Sequence, residues 1–192
     1  MSCRDRNRLA LQSQIVGAAA LGSEGVLCVQ GDPVDDIPHV KDLTTTALIK
    51  QAKTWAGPQE LAIGAVVNPF APDPEREIRL LERKLAAGAD FVQSQMIFDL
   101  DALEAFFSRV GDLLTGVRFF AGLALLRNER MADRARRLPG CLIPDAVYRQ
   151  IAHGGGVELA VRQGPGQRRA AGAEHHPRQD RQGTLGGHAH SR

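Results

Sequence analysis

Cysteines, aromatic residues and excess charge are all scarce in this 192-residue chain, which has three cysteines, one tryptophan, one tyrosine and a formal net charge of +2. Each scarcity excludes something. Cys3, Cys28 and Cys141 are odd in number and widely spaced, so they read as reduced thiols and supply neither a disulfide framework nor a metal cluster. His39 and His153 have no partner at ligand spacing, and no metal is expected. No apolar run approaches the roughly 20 residues of a membrane helix, and the charged N-terminus has no signal-peptide core; a cytoplasmic protein without a membrane partner is expected. The Gly-x-Gly-x-x-Gly fingerprint and the P-loop are missing, so neither a Rossmann turn nor a Walker loop would hold a nucleotide.

What is present is enough apolar content, 43% of residues, for one sizeable core. That content ends near residue 160. From Val161 to Arg192 the chain carries six arginines against two acids and almost no large apolar side chain. Such a segment buries too little surface to offset its ordering entropy, so 161–192 reads as a low-complexity basic tail, disordered or the product of a shifted reading frame. His175, His176, His188 and His190 belong to it. A nucleic-acid-binding function would rest on this tail alone, and no nucleic-acid partner is expected.

Within residues 1–160, strand-like and helix-like stretches take turns. Leu9–Leu21 has helical spacing and a glycine stop at Gly22; Leu43–Trp55, Pro74–Ala87, Leu100–Leu114, Asn128–Arg137 and Asp145–Ala152 also read as helices. Val26–Gln30, Leu61–Val67, Phe91–Ser94 and Arg118–Gly122 read as strands, with Cys141–Ile143 a short extended piece. Trp55 reads as core, Phe98 as packing and Asp99 as the cap of the helix that follows it. Alternation of this kind predicts an α/β fold of parallel strands with crossover helices.

The run VLCVQGDP, Val26 to Pro33, is the most pointed feature, because a buried strand that ends in Gly-Asp-Pro delivers a carboxylate to its carboxyl end. Barrel enzymes keep their chemistry there. Gly31 would let a ligand approach the backbone, Pro33 would turn the chain, and burying Asp32 would be costly without a partner.

With CRDRN (Cys3–Asn7), LQSQIVGAAALG (Leu11–Gly22), IGAVVNP (Ile63–Pro69), LERKLAAGADFVQSQMIFD (Leu81–Asp99) and LPGCLIPD (Leu138–Asp145), in that order, the chain resembles the methylenetetrahydrofolate reductase family. It is most similar to the branch also found fused to a homocysteine S-methyltransferase. The resemblance spans about Ser2 to Ala160 and implies a partial TIM (β/α)8 barrel with CRDRN just after the third strand, truncated at both ends. A closed barrel typically needs about 250 residues.

The resemblance also implies a chemistry: FAD-dependent reduction of 5,10-methylenetetrahydrofolate to 5-methyltetrahydrofolate with NAD(P)H. It implies that Gln30, Gly31 and Asp32 lie beside the flavin ring, the Asp32 carboxylate tuning the flavin and favouring cationic character in the folate. It implies that Glu77, Arg83 and Lys84 contact the ribose and phosphates of FAD, Asn68 its adenine side, and Gln95 the folate. Glu77 and Lys84 are seven apart and share a helical face. The chain departs from the family pattern at Ser94 and Met96, and again after Gly122, where LALLRN replaces a proline-containing loop. The family's general acid would precede Met1, so the alternative is a catalytically inactive fragment with at most weak flavin binding or an interaction role. A homo-oligomer stays open.

Overall fold

Alternating hydrophobicity and strong caps resolve into strand–helix units in the computed structural model, which describes residues 1–32, 40, 42–58, 60–138 and 140–153. The turn assigned to Pro33, His39 and the basic tail at 161–192 with its four histidines lie outside the described residues. Helix α1 (Arg8–Ala20) leads to β1 (Gly25–Cys28), then α2 (Thr45–Trp55), β2 (Ala62–Val67), α3 (Pro74–Ala86), β3 (Phe91–Met96), α4 (Leu100–Val110), β4 (Arg118–Gly122), α5 (Glu129–Arg136) and α6 (Asp145–Ala152).

The helices begin where short polar side chains satisfy first-turn amides. Asn7, Thr44, Asp73, Asp99 and Asn128 each accept a hydrogen bond from the backbone N–H three residues on. Pro74 stands in the first turn of α3, where its missing N–H costs nothing. Gly22 and Gly88 follow α1 and α3 with φ of 74° and 102°, the left-handed conformation that stops a helix.

The four strands are parallel in the order β1-β2-β3-β4, so every connection is a crossover through a helix. Residues Met1–Arg4 extend the ladder on the other side of β1. The N–H of Val29 donates to the carbonyl of Met1 at 2.9 Å, and that of Cys3 donates to the carbonyl of Val29 at 3.0 Å. CRDRN therefore leaves a segment paired with β1, as expected of a motif that follows a neighbouring barrel strand.

One face of the sheet is covered by helices. Ile63 and Ala65 pack with Cys28, Leu11 and Ile15 of α1, and Leu48, Ile49 and Ala52 of α2. Val67 and Val92 pack with Leu81 of α3 and Phe106 and Val110 of α4. A third cluster joins Phe98 and Leu126 to Ala132 and Ala135 of α5 and to Ile143 and Ile151 of α6. Trp55 is part of the first cluster's rim, with the Arg8 guanidinium 5.9 Å from its ring. The other face carries Gly64, Phe91, Gln93 and Phe120; Phe91 and Phe120 meet edge to face at 5.4 Å, and Phe120 is 50% exposed. The fold is α/β, a partial (β/α)8 barrel whose inward face is this second surface.

Several boundaries differ from the sequence reading: helix ends shift by one or two residues, and β1 spans Gly25–Cys28 and so stops two residues before Gln30. β3 runs on to Met96, because β4 pairs Gly122 with Met96 across an irregularity between Gln93 and Met96. The helix assigned to Leu100–Leu114 ends at Val110 and continues as a 3-10 turn over Asp112–Leu114. Cys141–Ile143 is extended but joins no strand, since Ile143 packs between α5 and α6 instead.

At the amino-terminal end of the strands, the Asp90 carboxylate accepts the N–H of Ile63 at 2.7 Å and pairs with Lys53 of α2, tying helix and two strands together. Asp90→Ala strands that amide in a half-buried position. Stability is expected to fall by about 1–3 kcal/mol in urea unfolding; a midpoint equal to wild type would show that this carboxylate holds nothing.

Candidate active site

The carboxyl ends of β1 and β2 and the inner face of α3 enclose a cleft of about 260 Å³. Its shape follows from α3, a charged helix that turns two polar side chains inward. Glu77 and Lys84 are only 14% and 13% exposed, and their charged atoms are 3.9 Å apart. Each also serves the strand beside it: the Glu77 carboxylate accepts the backbone N–H of Asn68 at 3.0 Å, and the Lys84 ammonium donates to the carbonyl of Val66 at 2.7 Å. Burial pushes the Lys84 ammonium below its ordinary value of 10.5, Glu77 opposes that shift, and Arg83 adds to it.

The sign of this shift gives a test. In the window beneath pH 10.5 the unfolded chain holds more protons at this lysine than the folded chain, so stability contributed by the site rises with pH there. The stability difference between wild type and Lys84→Met should therefore move in favour of wild type as pH climbs toward 10.5. A difference that stays flat would mean that Lys84 is not desolvated.

Gln30, Gly31, Asp32, Asn68, Glu77 and Lys84 all line the same cleft, although they come from three separate stretches of sequence. Arg83 is not among them. It is exposed, and its Nε donates to the carbonyl of Arg79, because one residue along a helix turns a side chain by about 100° away from Lys84. Gln95 lies at the end of β3, where its Oε1 accepts the N–H of Met96 at 2.9 Å.

Two of the physical reasons expected for the β1 segment need correction. Gly31 does have a left-handed φ of 85°, but the space beside its Cα is filled by Ser2 and Arg4, which a methyl group there would overlap. The glycine is required by close packing of the chain against itself, and it also lines the cleft. Asp32 is exposed, so no burial penalty acts on it in this form.

Thr45, the first residue of α2, escaped the sequence reading. Its hydroxyl donates to Gln30 Oε1 at 3.3 Å and it lines the cleft. The signal available was the run Thr44-Thr45-Thr46, which starts the next helix after the strand that Gln30 follows. Ser94 is buried, at 3% exposure, and bridges strands: its hydroxyl donates to the carbonyl of Gln95 at 2.8 Å and accepts the N–H of Gly122 at 2.9 Å. The loop after Gly122 alternates, with Leu123 and Leu125 outward and Ala124 and Leu126 packed against Phe98.

No helix among the described residues is long and apolar enough to cross a membrane, and no cluster of ligating side chains among them could hold a metal ion.

A cation, two carboxylates and side-chain amides gather in a cleft at the carboxyl ends of parallel strands, the end of a (β/α) barrel at which such enzymes keep their chemistry. The chain belongs to the methylenetetrahydrofolate reductase family, whose model matches residues 1–175 and so extends past Ala160. It is similar to methylenetetrahydrofolate reductase 2 of Schizosaccharomyces pombe, at 22% identity over 169 residues, covering 79% of this chain and 26% of the relative. It is also similar to methylenetetrahydrofolate reductase 1 of the same organism, at 24% identity over 152 residues, covering 75% of this chain and 25% of the relative. The chain thus spans about a quarter of the length of the curated relatives it matches.

Proposed function

We propose that this chain binds FAD in the strand-end cleft and serves the reduction of 5,10-methylenetetrahydrofolate to 5-methyltetrahydrofolate by NADH or NADPH. The observation that carries the reading is the convergence of Gln30, Asp32, Asn68, Glu77 and Lys84 on one cleft in a member of this family. The donor set suits the cofactor. Lys84 is an ammonium with three donors, of which the Val66 carbonyl engages one, and the remainder suit phosphate oxygens. Glu77 and Asp32 offer acceptors to sugar hydroxyls or ring N–H groups, and Gln30 and Asn68 offer amides.

Bound FAD would supply the hydride chemistry, taking electrons from the nicotinamide and passing them to the folate. The chain's own residues bind, orient and manage charge. Lys84 would hold the anionic part of the cofactor, Gln95 would orient the pterin through its amide, and the Asp32 carboxylate would favour the cationic form of the folate from which the methylene carbon then accepts hydride. Cytoplasmic residence belongs to the same proposal.

The test is FAD binding by the full chain, followed by flavin fluorescence. Weak but saturable binding is expected, with Lys84→Met weakening it about tenfold or more through loss of a charge-assisted contact. Binding that ignores Lys84→Met would remove this cleft as the flavin site, and no binding at all would defeat the reading. Flavin binding without turnover of NAD(P)H and methylenetetrahydrofolate would reduce the chain's role to that of a flavin-binding segment.

A further inference from the structure

β3 and β4 do not pair evenly. Gln93 stands opposite Phe120 and Met96 opposite Gly122, so three steps along β3 match two along β4, and β3 carries one extra residue. Such a bulge is uncommon between parallel strands, and it takes main-chain groups away from their ladder partners. The side chain of Ser94 makes up the loss. Ser94 is the single buried polar residue among those described, at 3% exposure; its hydroxyl accepts the N–H of Gly122 at 2.9 Å and donates to the carbonyl of Gln95 at 2.8 Å. One hydroxyl thus stands in for a strand-to-strand bond and holds the peptide beside it. Gly122 completes the joint, since a Cβ there would stand 2.6 Å from the Ser94 carbonyl oxygen and 2.9 Å from that of Gln95. The consequence falls on Gln95. In an even strand it would share a face with Gln93, two residues back, but the extra residue breaks that alternation, so the bulge and not the pleat sets the direction in which Gln95 leaves the strand. Its Oε1 turns back within the bulge to accept the N–H of Met96 at 2.9 Å.

Resting on the function proposed above, in which Gln95 orients the pterin, we propose that Ser94 is a positioning residue: its hydroxyl locks the bulge in β3 and so fixes the approach of Gln95 to the folate. Ser94 is buried and acts through Gln95. Glu77 and Lys84 stand on α3 and are bonded to the Asn68 N–H and the Val66 carbonyl, so the flavin contacts proposed for them do not depend on the bulge. Loss of the Ser94 hydroxyl therefore acts on the folate and spares FAD.

The experiment uses the full chain labelled with 15N, with FAD and, separately, 5-methyltetrahydrofolate as probes. In the wild type the Gly122 N–H should exchange slowly, and the Gln95 side-chain NH2 signals should stand apart from those of a freely rotating glutamine. Ser94→Ala should speed Gly122 exchange, move the Gln95 signals toward the free-glutamine position and weaken 5-methyltetrahydrofolate about tenfold, with FAD affinity within about twofold of wild type. Ser94→Thr keeps the hydroxyl and should restore all three. A serine that served only the fold would weaken both probes together. That result, or Ser94→Ala protein that binds both probes as wild type does, would overturn the positioning role while Lys84-dependent FAD binding leaves the proposed function standing. Averaged Gln95 signals in the wild type would overturn it without any variant, so the test holds even if Ser94→Ala does not fold. Wild-type protein that binds FAD but not 5-methyltetrahydrofolate also overturns the role of Ser94, and binding of neither probe overturns the proposed function as well.

Discussion

Gly122→Ala is expected to lower stability by about 3 kcal/mol, the largest effect of any single methyl addition in the sheet. A Cβ at Gly122 would stand 2.6 Å from the carbonyl oxygen of Ser94 and 2.9 Å from that of Gln95. Both obstacles are backbone of the neighbouring strand, so they cannot rotate aside. The join between β3 and β4 would have to open, and with it the bonds from the Gly122 N–H to the Ser94 hydroxyl and from the Ile97 N–H to the Gly122 carbonyl. Gly64→Ala provides the contrast. The three nearest atoms its methyl would meet all belong to the Phe91 ring, a side chain that lies toward the uncovered face beside Phe120 and, unlike backbone, can rotate. Gly64→Ala should therefore cost less than Gly122→Ala, and Phe91→Leu should rescue it in a double-mutant cycle. Urea midpoints for the set decide the matter. A Gly122→Ala protein within about 0.5 kcal/mol of wild type would contradict the packing described between these strands.

Asp32→Asn is expected to slow hydride transfer to the folate about 10- to 100-fold while leaving flavin binding and reduction by the nicotinamide little changed, measured in a reductase that carries these residues. The asymmetry follows from where charge develops. Asp32 stands beyond the end of β1 and lines the same cleft as Lys84; under the function proposed above, its carboxylate acts on positive charge in the folate. The amide of the variant keeps the size and one acceptor but removes the negative charge, so the folate half-reaction, which must first form the cation that accepts hydride, loses most. Rapid-mixing measurements of the two half-reactions separate the outcomes. Equal slowing of both halves would move Asp32 from charge management to general support of the cleft, and no slowing of either would remove it from the reaction.

Much of the architecture was legible because it rests on short-range chemistry. The glycine stops at Gly22 and Gly88, the caps at Asp73 and Asp99, and the short apolar run of β2 announce themselves within a few residues. β4 and α6 occur residue for residue where their patterns predict them. The extension of β3 to Met96 was not legible, because it depends on a partner strand whose Gly122 lies 26 residues downstream of Met96. Family similarity extended this local reading to candidate site residues, and the structure sorts them by side. Glu77 and Lys84 face inward and Arg83 outward, a division that helix periodicity contains but that only the docking of α3 against β2 turns into a site.

By itself the sequence determined the order and kind of elements and the placing of Gln30, Asp32, Asn68 and Gln95 at or just beyond strand ends, because hydrophobic period, capping and turn chemistry are properties of consecutive residues. Tertiary structure alone decided that Thr45 reaches Gln30, that Ser2 and Arg4 rather than a ligand fill the space beside Gly31, and that Gly140 closes on Asn68 and Gln95. Those meetings join segments far apart in the chain. They depend on strand register and helix rotation, which are set by how the whole core packs and leave no local trace in the residues that meet.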